Sequence, residues 1–157
     1  MIKKLVVIFI LIFSFFNLAQ AQALPAKIKS YLNKNYAGWK IQPTHGNCGS
    51  GKSVVTGDFD NDRKTDYAIK IERGNRGYIV AFVARKNDYA AFVLYNLPAA
   101  ELKDMTLIIY RKGEKYYTEM GEESSAVTLK ADAIYDVPCE SDNGLLHVFR
   151  NGKFAPL

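Results

Sequence analysis

From residue 53 to the C-terminus the chain is a succession of short runs rich in β-branched and aromatic residues, each closed by a polar turn. This punctuation limits the fold more than any other feature. Alternation with a period of two lays side chains on the two faces of a strand. Connections of only a few residues join antiparallel neighbours, because a parallel pair needs a crossover of about a dozen residues or more. Runs at 53–56, 67–72, 78–84 and 89–95 predict a meander, turned at Gly74-Asn75-Arg76-Gly77 and at Lys86-Asn87-Asp88. The run 78–84 is almost wholly apolar, which predicts cover on both of its faces. Residues 105–110 and 115–119 predict a hairpin around Lys112-Gly113-Glu114, and 126–129 with 133–137 predict a second pair. A last hairpin is expected at 145–150 and 153–154, because Asn151-Gly152 is the strongest two-residue turn signal. Between these, 97–104, with Pro98 and two alanines, is expected to hold a helical turn.

One segment carries helical spacing. In 24–38, Ile28, Tyr31, Leu32, Asn35 and Tyr36 fall on one stripe with a single polar interruption, and Lys27, Lys29, Asn33 and Lys34 take the other side. Pro25 suits the first turn and Gly38 the C-terminal cap. The first 23 residues are different in kind. Lys3 and Lys4 precede an apolar stretch from Leu5 to Phe16, and Ala19-Gln20-Ala21 and Ala21-Gln22-Ala23 both offer small-x-small cleavage sites. That pattern predicts a secretory signal peptide over 1–23. Its apolar core is shorter than the roughly 20 residues of a bilayer span, so no stable membrane anchor is expected. Residues 24–157 are then expected to form a single domain of the α+β class, an N-terminal helix packed on a largely antiparallel β-sheet of seven or more strands. Removing the two leader lysines takes the formal net charge from +5 to +3, and that mild remainder gives no basic stripe for nucleic acid.

The chemistry is concentrated in Gly57-Asp58-Phe59-Asp60-Asn61-Asp62-Arg63-Lys64-Thr65-Asp66-Tyr67. Four carboxylates within nine residues repel one another unless a cation or a row of backbone N–H groups answers them. Side-chain oxygens from Asp58, Asp60, Asp62 and Asp66, with the main-chain carbonyl of Lys64, suit a hard cation that takes six to eight oxygens, and calcium is the natural candidate. The spacing resembles the calcium loops of FG-GAP and VCBS-type repeats, in which Asp-x-Asp/Asn-Gly-Asp-Gly-x-x-Asp follows a strand-ending glycine. That resemblance covers about a tenth of the chain and implies a calcium site on these residues. Two positions depart from it: Asn61 and Arg63 stand where the family has glycine. A left-handed conformation at Arg63 costs roughly 1–2 kcal/mol, and its charge opposes a cation. The loop is not an EF-hand, since Ile69 occupies the position of the bidentate glutamate. The alternative is an aspartate-rich turn whose carboxylates accept backbone N–H groups, as Asx-turns do. The loop occurs once, which excludes a propeller built from copies of it.

Cys48 and Cys139, an even pair in a chain expected to be exported, are expected to form a disulfide; buried thiols or a reactive Cys48 beside His45 are the alternatives. Closing that loop removes about 4–5 kcal/mol of unfolded-chain entropy in the simple model. Gly46 to Ser53 matches the phosphate-binding loop pattern letter for letter. Its exit, Val54-Val55-Thr56-Gly57, is β-branched and runs straight into the aspartate loop, so no helix N-terminus follows and no nucleotide is expected. With only His45 and His147 as histidines, no zinc site of the usual composition assembles without a cysteine; His147 reads as a half-buried strand residue. Glu119, Glu122 and Glu123 in a Gly/Ser loop read as solvated rather than as an acid–base pair. The ten tyrosines suit a binding face, or simply the β-propensity of strands.

Together these features predict a secreted or periplasmic, non-enzymatic domain whose calcium loop serves structure or adhesion, with a protein or glycan partner. The alternative is a periplasmic inhibitor or ligand-binding module that uses a tyrosine-rich sheet without metal; an exported hydrolase comes third. If the leader is processed as expected, intact-mass measurement on exported protein finds an N-terminus at Gln22 or Leu24, and a full-length membrane-bound product refutes the processing.

Overall fold

Pro25, which fixes its own φ and needs no N–H partner, opens helix α1 (Ala26–Asn35). The computed structural model describes residues 24–44, 48, 51–120, 123–141 and 143–157. The expected signal peptide, His45 and Glu122 lie outside them, as do the side chains of Glu119 and Glu123. Helix α1 is shorter than the 24–38 predicted. The Tyr36 N–H closes on the Leu32 carbonyl and Gly38 turns the chain with φ +79°. Asn35, the polar interruption of the stripe, donates instead to the Tyr31 carbonyl. Ile28 and Leu32 are fully buried, and with Leu24 and Tyr36 they pack on Tyr67, Ile69, Ile71, Val80 and Phe82. The expected helix-on-sheet packing is therefore present, but the strands divide among antiparallel sheets of five, four and two instead of the single sheet of seven or more expected.

The sheet under the helix contains β1 (Lys40–Ile41), β2 (Val54–Gly57), β3 (Asp66–Arg73), β4 (Arg76–Ala84) and β5 (Tyr89–Pro98), all antiparallel. Both β1 and β2 pair with β3, and the order then runs β3-β4-β5. Strand β4 is covered on both faces, as its apolar run predicts. Val80 and Phe82 face the helix, while Ile79 and Ala81 face a second layer. A short helix α2 (Ala99–Leu102) fills the predicted helical turn after Pro98.

The second layer contains β6 (Met105–Tyr110), β9 (Ala133–Pro138), β10 (Leu145–Arg150) and β11 (Lys153–Pro156), in the order β11-β10-β9-β6. Strands β7 (Lys115–Met120) and β8 (Glu123–Thr128) pair only with each other. Two expected pairings are therefore corrected. Residues 105–110 do not pair with 115–119, and 126–129 do not pair with 133–137. The reason lies in β9, whose first five residues are all buried. Such a strand must be central, so it takes β6 on one edge and β10 on the other, which leaves β7 to β8. The β10–β11 hairpin forms at Asn151-Gly152, both with positive φ.

Between the layers lies a core of Val55, Phe59, Ala68, Ile79, Ala81, Leu102, Leu107 and Ile134. A third cluster, including Leu129, Tyr135 and Leu146, lies on the far face of the second sheet. Cys48 and Cys139 are joined in a disulfide with Cα atoms 4.5 Å apart, tying the segment before β2 to the end of β9. Of the stretch Gly46 to Ser53 that matches a phosphate-binding loop, Gly46, Asn47, Gly49 and Ser50 lie outside the described residues; Lys52, which leads into β2, is bridged to Leu107.

One lysine is wholly buried among these layers. Lys70 donates its Nζ to the Met105 carbonyl. Burial pushes its pKa down from 10.5 to about 8, against the pull of Asp104. Below pH 8 Lys70 is protonated folded and unfolded, and the cost of burying the charge is full. Between pH 8 and 10.5 the folded chain sheds this proton first, so stability rises with pH. Denaturant unfolding across that range should show wild type gaining on Lys70→Met; parallel curves would place the amine in water.

Candidate metal centre

The aspartate loop spans the gap between β2 and β3, and its backbone carries the strain that the sequence implies. Asn61 and Arg63 adopt φ of 62° and 67°, the left-handed region that is costly for a residue with a β-carbon. This curl brings one carboxylate oxygen each from Asp58, Asp60 and Asp66 within 4.8 Å of one another.

The four aspartates divide by what they already hold. Asp58 accepts the Asp62 and Arg63 N–H groups, each at 2.9 Å, and so closes the turn on itself. Asp66 is fully buried. Its Oδ2 accepts the Phe59 N–H and its Oδ1 the Ala84 N–H, both at 2.7 Å. Burial raises its pKa to about 6, with the neighbouring Asp60 and Asp62 adding to the rise and the two N–H donors opposing it. Asp60 Oδ2 accepts a hydrogen bond from Arg85 Nη1 at 2.7 Å, while its Oδ1 is buried with no hydrogen-bond partner. Asp62 stands outside the three-oxygen cluster. It accepts the Lys64 N–H in an Asx-turn and pairs with Lys64 Nζ, an interaction that lowers the Asp62 pKa and raises that of Lys64. Three of the four expected side-chain ligands thus converge, and the expected turn of carboxylates on backbone N–H groups is present in the same loop.

Basic and acidic residues from elsewhere complete the surroundings, and the sequence pattern did not single them out. Arg85, from the turn after β4, also donates to the Ala84 carbonyl and lies over the Phe149 ring, 5.9 Å from its centroid. Asp132, just before β9, accepts the Asp58 N–H, the Lys112 N–H and Arg111 Nη1. Its burial would raise its pKa, but the three donors together lower it. Lys112 Nζ reaches Asn61 Oδ1. These contacts span up to 74 residues of chain, so only the fold brings them together.

Other candidates fall elsewhere. His147 is more buried than a half-buried strand residue, and its Nε2 binds Asp136. The tyrosine rings largely pack on one another, as Tyr110, Tyr116 and Tyr135 do, while Tyr117 is exposed. Among the described residues no helix is long and apolar enough to cross a membrane. Comparison with protein-family models, with curated proteins and with solved structures gave no match.

Asp66→Asn leaves one acceptor for two buried N–H groups and turns an NH2 toward the other. It should cost about 1–3 kcal/mol in urea unfolding, whereas exposed Asp62→Asn should shift stability by less than about 0.5 kcal/mol. An unmoved midpoint for Asp66→Asn would show that this carboxylate does not hold the loop.

Proposed function

We propose that this chain is an exported domain whose 58–66 loop binds calcium, in a structural or adhesive role outside the cytoplasm. The convergence of Asp58, Asp60 and Asp66 oxygens within 4.8 Å, with Asp60 Oδ1 buried and unpartnered, carries the reading. A hard cation at that point satisfies the orphaned oxygen, and the carboxylate lone pairs not used by N–H donors remain available to it. The Lys64 carbonyl, and Asp62 once released from Lys64 Nζ, complete the expected set. The left-handed turns at Asn61 and Arg63 support the resemblance to the calcium repeats. The disulfide supports an oxidising compartment, secreted or periplasmic. Arg85 competes for Asp60, so affinity belongs with the weak extracellular class, about 0.1–1 mM.

The second reading, a turn capped entirely by its own N–H groups, is favoured by the bonds to Asp58 and Asp66. Thermal unfolding during calcium titration separates the two. A site that exists only in the folded chain gains about 2.7 kcal/mol at one hundred times Kd. Asp60→Asn should abolish the calcium-dependent rise in Tm, and Arg85→Gln should shift it to lower calcium. A flat wild-type titration into the millimolar range leaves the capped turn as the function of the loop.

A further inference from the structure

Charge is unevenly placed along this chain. Lys27, Lys29, Lys34, Lys40 and Lys52 precede its first acidic residue, Asp58. Helix α1 carries three of these lysines. Its apolar stripe packs into the core, so the lysines take the arc left to solvent, where all three are exposed. None has an ion-pair partner among the described residues. Two of them stand where a helix disfavours them. Lys27 and Lys29 lie at the N-terminal end, where the aligned peptide dipoles leave partial positive charge, and the first turn holds no acidic residue to offset it. Pro25 at the cap supplies no side-chain hydrogen bond either. A local rule broken without compensation in the fold points to a requirement outside it.

Apolar groups border the same face. Trp39, the single tryptophan, is half-buried against the core between helix and sheet, and its Nε1 donates to Asn33 Oδ1 at 2.8 Å. Asn33 is exposed and one turn from Lys29, so the indole lies beside the lysine-bearing arc. Ile41 pairs with Ile71, which packs under α1, so Ile41 stands on the helix side of the sheet, 43% exposed. The same register, continued by one residue, sets the exposed Arg73 opposite Trp39. Lys40 belongs to the other face, since it pairs with Glu72. Three lysines and an arginine thus share one side of the first sheet with an indole and an exposed isoleucine. Such a surface suits anionic lipid, where cations meet headgroup phosphates and an amphipathic ring sits at the interface. A soluble polyanion would use the cations and leave Ile41 without a role.

We propose that the outer face of α1 docks reversibly on an anionic lipid bilayer, with Lys27, Lys29, Lys34 and Arg73 against the headgroup phosphates and Trp39 and Ile41 at the interface. The apolar stripe of α1 stays in the core, so the domain rests on the surface without inserting this helix. Nothing in this docking requires calcium. The test is co-sedimentation of the full mature chain with phosphatidylcholine vesicles, with and without phosphatidylglycerol, read together with Trp39 emission. Only the anionic vesicles should carry the protein down and shift the emission to the blue, and added salt should reverse both. Lys27→Gln, Lys29→Gln and Lys34→Gln should each weaken partitioning about fivefold, the worth of one lysine at such a surface. Lys27→Gln and Lys29→Gln should leave Tm unchanged or raised, since each removes a cation from the positive helix end, and this separates lost docking from lost folding. Lys153→Gln, exposed on β11 of the second sheet, should partition as wild type. No sedimentation with anionic vesicles, unmoved Trp39 emission on sedimented protein, or equal weakening by Lys153→Gln overturns the proposal. Dextran sulfate shifting the emission as far as the vesicles do assigns the face to a soluble polyanion and overturns the lipid.

Discussion

The buried Asp66 carboxylate joins the aspartate loop to the central sheet. One oxygen fixes Phe59, inside the loop, and the other fixes Ala84, at the end of β4. Two short charge-assisted N–H donors offset only part of the cost of removing an ionised carboxylate from water, since burial still leaves the Asp66 pKa raised to about 6. What the arrangement secures is the position of Phe59, whose ring is fully buried and meets Phe154 of the opposite sheet at 5.8 Å. That ring lies so close over Gly57 that a β-carbon there would stand 2.7 Å from it. The glycine that ends β2 is therefore needed for contact with Phe59, whose insertion joins the two layers. A loop that looks like an appendage in the sequence is part of the core.

Around this anchor the charges fall into two energetic classes. Arg85–Asp60, Lys64–Asp62 and Arg111–Asp132 are pairs whose basic member is 41, 52 and 58% exposed. Pairs in such surroundings are worth about 0–1 kcal/mol each and weaken with salt. A divalent cation with several oxygen ligands can displace them. Asp66 belongs to the other class, because losing its carboxylate leaves the Phe59 and Ala84 N–H groups without acceptors. The loop thus has a fixed inner carboxylate and outer carboxylates held by exchangeable cations, which is the division a weak, reversible ion site needs.

The local code of the chain was legible: the helix stripe, the turns at Gly74 and Asn151-Gly152, the doubly covered β4, the curl of the aspartate loop and the cysteine pair are all present. What sequence proximity misled was partnering. Residues 105–110 and 115–119 satisfy a hairpin pattern, yet burial of 133–137 on both faces draws β6 across to β9. Neighbouring strands pair by default only where neither is wanted elsewhere in the core. The site was legible only in part for a related reason. Asp132, Arg85 and Lys112 lie 25 to 74 residues from their partners in the loop, and no local spacing announces them. His147 was legible as a strand residue but not as half of a buried pair, because Asp136 reaches it through strand register.

Strand β9 sets how the two polar stations relate. Asp132, just before its first residue, braces the aspartate loop, and Asp136, four positions on, holds His147. At the strand rise those positions are about 13 Å apart. The stretch between them contains Ala133, Ile134 and Tyr135, all buried. Close packing makes this spacer stiff, so the stations share a rigid element without sharing a hydrogen-bond network. Sites separated by more than about 7–10 Å with no common partner act additively. The loop and the Asp136–His147 pair are therefore mounted independently on one strand, and a change at one has no shared contact through which to reach the other.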